Sequence, residues 1–243
     1  MKVRGERECT ECGTRWSYYE TGSVGCPACG SLHSVGIDER TEHTDVRVEF
    51  DLTPVRADVD DASVGELADR TRDRCREYAR RRGFVNAGEL RELDDTYLAA
   101  AELRHVADDV VRDVRPSERE ELYFLSLLRD ADDGKRPPPD AVPSALRASR
   151  GLAYANAVRE YRREIRTWGK NREFTSSERS ALETLGEHVT RLRMLDGDVR
   201  PETAERLLEA TRDLANGLRG DELAFGRAQD RLEGLEFSTV DGP

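Results

Sequence analysis

Two Cys-x-x-Cys-Gly knuckles, Cys9 with Cys12 and Cys26 with Cys29, constrain the start of this 243-residue chain more tightly than any other pattern in it. Cysteines two residues apart turn both sulfurs toward one point, and Gly13 and Gly30 permit the left-handed backbone that completes each turn. Residues 13 to 25 separate the pairs, enough for a short hairpin that sets the second knuckle beside the first. Arg15 to Tyr19 reads as one strand of it, Thr21-Gly22-Ser23 as the turn and Val24-Gly25 as the return. The expectation is a zinc ribbon over residues 1–40, with Cys9, Cys12, Cys26 and Cys29 as ligands of one structural zinc.

A disulfide pair and a redox Cys-x-x-Cys are the bland alternatives. The first needs an exported protein and the second a single pair near a βαβ pattern. Iron competes more closely, because Cys26-Pro27-Ala28-Cys29-Gly30 resembles half of a rubredoxin site, though the interval between the pairs is short for that family. His33 is not needed as a ligand once four thiolates are present. A ribbon this small buries little apolar surface, so metal binding supplies most of its folding free energy, on the order of 10 kcal/mol. The fifth cysteine, Cys75, shares a helical stripe with Leu67, Ala68, Thr71, Tyr78 and Ala79, which marks it as a buried structural thiol.

After the knuckles, Val46, Val48, Phe50 and Leu52 alternate with charged residues, the signature of a half-buried strand. Thr53-Pro54 to Asp61 reads as a linker, so residues 41–61 are expected to hold a strand and a domain boundary. Residues 62–243 read as a helical domain. Ser63 with Glu66, Asn86 with Glu89, Ser117 with Glu120 and Thr175 with Glu178 each place a capping residue three positions before a glutamate. Pro143 and Pro201 mark two further helix starts. The Pro143 to Trp168 segment carries a clear apolar stripe (Leu146, Ala153, Tyr154, Val158, Tyr161, Ile165), and Leu182 to Leu195 and Ala204 to Leu218 carry two more. The fold class is therefore mainly α: a small β zinc ribbon followed by an antiparallel bundle of about seven helices, the last near Asp221 to Leu235. The loop at 131–143, with three consecutive prolines, either divides the bundle or crosses it as a stiff strap; the strap is the preferred reading.

No phosphate-loop glycine pattern, no Gly-x-Ser-x-Gly elbow and no His-Glu-x-x-His motif occurs, so no catalytic residue is assigned. Glu102-x-x-His105 is half of a di-iron carboxylate pattern whose second half is missing, which leaves His105 as a helix-flank residue. His188 reads as a core-edge histidine. Asp plus Glu number 50 against 39 Lys plus Arg, a net charge of -11 that argues against a general nucleic-acid binder. Arginine nevertheless clusters at Arg70 to Arg82 and at Arg159 to Arg172, as helix-end salt bridging or as a surface for phosphate or an acidic partner. Trp16, Tyr18 and Tyr19 pack in the ribbon or stack on bases, packing being the default. No apolar run is long enough to span a membrane and no signal peptide precedes the knuckles, so a soluble, cytoplasmic protein is expected.

Only Lys2, Lys135 and Lys170 are lysine. With the acidic surplus, this skew resembles proteins of halophilic archaea, and the knuckles resemble the zinc ribbon of transcription factor IIB. The resemblance covers about the first 40 residues and implies zinc ligation by Cys9, Cys12, Cys26 and Cys29; the cyclin-like repeats that bind promoter DNA in that family have no counterpart here. The resulting expectation is a non-enzymatic adaptor whose ribbon binds a macromolecular partner, a protein before a nucleic acid. Its alternatives are an enzyme or enzyme subunit with a site in the helical domain, and a homo-oligomeric scaffold.

Overall fold

The computed structural model describes residues 1–113 and 115–237. β1 (Lys2–Arg4) opens the chain and pairs antiparallel with β5 (Arg40–Glu42), Val3 opposite Thr41. Between them, β2 (Glu6–Cys9) is the central strand of a second antiparallel sheet, flanked by β3 (Arg15–Ser17) and β4 (Ser34–Gly36). The hairpin expected between the knuckles forms only in part. β3 stops at Ser17, the chain turns through one helical turn, α1 (Tyr18–Thr21), and Gly22 closes it at φ 63. Val24-Gly25 is no strand; β2, ahead of the first knuckle, takes the place of the return strand because both β3 and β4 find their ladder partners on it.

The strand expected over 43–52 does not form. The segment is extended, and its inward residues Phe50 and Leu52 are buried against helices, with Phe50 stacked on Tyr78 at 4.8 Å between ring centroids. Alternation reports that one face is covered; here a helix rather than a neighbouring strand covers it. The stretch read as a linker begins with a single turn, α2 (Thr53–Arg56), whose Val55 is buried and whose Arg56 pairs with Asp132 at 2.7 Å.

Seven longer helices follow. α3 (Val64–Arg81), α5 (Glu118–Asp130) and α7 (Ser176–Met194) start at the three expected capping boxes, with Ser63, Ser117 and Thr175 each accepting from the backbone N–H three residues on. The fourth expected box is a different structure. Asn86 and Glu89 are the facing residues of a hairpin, β6 (Val85–Asn86) with β7 (Glu89–Leu90), turned through Ala87 (φ 51) and Gly88 (φ 82). The helix it should have started, α4 (Asp95–Arg112), is capped by Asp94, whose carboxylate accepts from Tyr97 N–H at 2.7 Å. α6 (Arg147–Trp168) starts after a 3-10 turn at Ser144–Leu146, four residues later than Pro143 suggested. α8 (Pro201–Leu218) begins on its proline, and α9 (Glu222–Glu233) ends the described helices. The fold is mainly α, as expected.

The stripes face inward: Ala153, Tyr154, Val158, Tyr161 and Ile165 of α6 are fully buried, as are Leu185 and Leu192 of α7 and Leu207 and Leu214 of α8. One cluster of buried side chains runs from Phe50 to Leu235, on both sides of the 131–143 loop. A separate small cluster, Cys9, Trp16 and Cys26, belongs to the ribbon. Among the described residues no helix is long and apolar enough to cross a membrane.

Candidate metal centre

Each knuckle is built by the same local bonds. Cys9 N–H donates to Thr14 O (2.9 Å) and Gly13 N–H back to Cys9 O (3.0 Å); in the second knuckle Cys26 N–H donates to Ser31 O (2.8 Å) and Gly30 N–H to Cys26 O (2.9 Å). Gly13 and Gly30 stand at φ 72 and 73, a backbone that a side chain would strain. A further bond, Thr10 N–H to His33 O at 3.0 Å, ties the two loops together.

These bonds bring the four sulfurs within 4.8 Å of one another, with Cys9 Sγ to Cys29 Sγ at 3.7 Å and Cys12 Sγ to Cys26 Sγ at 3.5 Å. A metal bound tetrahedrally at a zinc–sulfur distance of about 2.3 Å separates its sulfurs by roughly 3.8 Å, so the donor set fits a thiolate-loving ion without rearrangement. Cys9 and Cys26 are buried beside Trp16, while Cys12 and Cys29 face solvent. The hydroxyl of Thr14, 3.2 Å from Cys12 Sγ, holds that thiol down at about 6. At Cys29 the Ser31 N–H favours the thiolate, but the neighbouring Cys12, Cys26 and Cys9 sulfurs prevail and push it up to about 12. Four thiols crowded in this way cannot all ionise unless a cation joins them.

His33 lies outside the cluster, exposed and 2.9 Å from Glu11. The ribbon's aromatics are engaged in packing. Trp16 Nε1–H donates to Ser23 O at 3.1 Å; Tyr19 Oη bonds to Thr41 Oγ1 at 2.5 Å, and both Tyr18 and Tyr19 contact the ring of buried His43. Cys75 is fully buried, and burial raises its thiol, in keeping with a structural role. His188 donates its Nε2–H to Leu232 O at 2.9 Å at the core edge.

In the first arginine cluster Arg70 pairs with Asp58, Arg72 with Asp69 and Arg82 with Asp45 and Asp94; in the second, Arg163 pairs with Glu160 and Arg162 donates to Leu182 O at 2.7 Å. Arg172 lies over the Trp168 ring, 4.1 Å from its centroid. The largest polar constellation is one that sequence reading missed. Glu102, with no exposed surface, accepts from Tyr123 Oη and from Tyr154 Oη (2.8 Å) and faces the buried guanidinium of Arg150 at 3.5 Å. Arg150 also donates to Pro137 O (3.0 Å) and to Glu205, while Arg136 reaches Tyr154 and Asp95. α4, α5, α6, α8 and the proline-rich loop are thereby joined through one buried network, Arg136 and Pro137 being the loop's contributions.

The fold and the cluster define a mainly helical protein whose N-terminal part brings together four cysteines that could hold a metal ion. The chain belongs to DUF7117, a family of unknown function, which it matches over residues 1–232. No curated protein and no solved structure matches it.

Proposed function

We propose that the chain is a non-enzymatic adaptor in which zinc, held by Cys9, Cys12, Cys26 and Cys29, keeps the residue 1–40 ribbon in shape for docking on a macromolecular partner. The observation that carries this reading is the ribbon's exposed apolar face. Leu32 is 73% exposed, and Val35, Ile37 and Val24 stand out beside it, on a unit whose own core is only Cys9, Trp16 and Cys26. Val35 lies on β4, an edge strand with one side unpaired, so the same face offers main-chain donors and acceptors for strand addition. The likeness to the transcription factor IIB ribbon points to a protein of the transcription machinery as the partner. The arginine-for-lysine skew and the net charge of -11 favour a halophilic cytoplasm as its setting.

The test is a pull-down of the tagged full chain from native extract in high potassium chloride, beside Leu32→Asp and Val35→Asp. A polymerase subunit retained by the parent and lost by both variants at unchanged metal content supports the reading; identical catches overturn it. Elemental analysis should return about one zinc per chain, and iron in its place would correct the metal.

A further inference from the structure

Arginines of three neighbouring helices and the segment after α3 meet in one groove, where Arg76 pairs with Asp73 and Arg81 with Glu77. α3 forms one wall, α6 the other and α4 the floor of an open groove of about 790 Å³. Thr44 bridges the walls at one end: its hydroxyl donates to Glu164 on α6, and its carbonyl sits where a side chain on Gly83 would fall. Six arginines line the groove against two glutamates, in a chain whose overall charge is strongly negative. Both glutamates are already engaged, Glu160 with Arg163 at 2.7 Å and Glu164 with the Thr44 hydroxyl and Phe84 N–H. Arg82 is likewise held by Asp45 and Asp94.

Arg104 and Arg80 differ from these. Neither has a hydrogen-bonding or ion-pairing partner among the described residues, and Arg104 Nε is buried with no acceptor. Arg72 and Arg150 also carry a buried Nε without a hydrogen-bond acceptor, but each of these has a carboxylate partner at a terminal nitrogen. A buried N–H without an acceptor is costly, and an anion entering from solution removes that cost. The planar fork of arginine matches phosphoryl oxygens two at a time. The groove's volume is that of a small-ligand site.

We infer that this groove binds a small phosphorylated anion carrying adjacent phosphoryl groups, with Arg104 as the fork on the floor and Arg80 as the fork at the rim. The site is independent of the ribbon, so its failure and the failure of the adaptor reading are separate results.

Inorganic pyrophosphate titrated into the full chain by calorimetry, at low and at molar potassium chloride, tests it. Saturable binding at one site per chain is expected, weakened about tenfold or more by Arg104→Gln and by Arg80→Gln, since each charge-assisted bond is lost outright. Arg74→Gln, on α3 but outside the groove, should bind like the parent. Without ligand, Arg104→Gln should melt no lower than the parent, because the orphaned donor is gone; if that variant fails to fold, exposed Arg80 carries the test. Absence of saturable binding, equal weakening by Arg74→Gln, or tighter binding of a single-stranded RNA whose affinity grows with its length overturns the inference.

Discussion

Glu102 and Arg150 are where single side chains matter most. Each is almost wholly buried, and the two share one network of hydrogen bonds and ion pairs through Tyr123 and Tyr154. Removing one partner strands the rest, so Arg150→Met should cost about 3–5 kcal/mol in urea unfolding, and Glu102→Leu a similar amount; the double variant should cost less than their sum. Beside Glu102 on α4, His105 is largely buried, Nε2 3.4 Å from Asn156, and burial holds its imidazole down at about 4. The unfolded chain takes up this proton near pH 6.5. Stability from this group is therefore complete above about pH 6.5 and falls as pH drops toward 4, by about 2–3 kcal/mol. His105→Gln should flatten that part of a stability–pH profile; an unchanged slope would assign the loss to carboxylates. Sequence reading noticed Glu102 only for its spacing to His105. Its partners Tyr123 and Tyr154 lie 21 and 52 residues away, and no local pattern joins them.

Among the elements, what sequence shows well is what closes over a few residues. The Ser63, Ser117 and Thr175 boxes and the Pro201 start are each contained within one turn, and the structure has them. Asn86-x-x-Glu89 is spelled like a capping box, yet Val85 and Leu90 are buried on either side and draw the segment into a hairpin. Ala87 carries a positive φ there, so Ala87→Gly should stabilise by about 0.5–1 kcal/mol, read as a raised melting temperature. The ribbon's strands were less legible than its ligands. Cysteine spacing determines where sulfurs meet, whereas the choice of β2 over Val24-Gly25 as ladder partner depends on contacts across the sheet.

At the scale of the molecule there are two cores of unequal size, the cluster from Phe50 to Leu235 and the three-residue cluster beside the knuckles. The larger one closes on hydrophobic burial alone, the smaller one does not. Chelation at neutral pH, or Cys26→Ser, should loosen the ribbon and expose Trp16, read as a red shift of part of the tryptophan emission. Helical circular dichroism should stay nearly constant, and its collapse would mean that the bundle leans on the metal.

The two outward-facing cysteines, Cys12 and Cys29, come from different knuckles. A competing thiol or an oxidant arriving from solution meets one sulfur of each loop, while the inner pair stays shielded behind Trp16. Attack at either outer sulfur would leave an ion held there with three ligands that still bridge both loops, so its loss would be expected to proceed in stages.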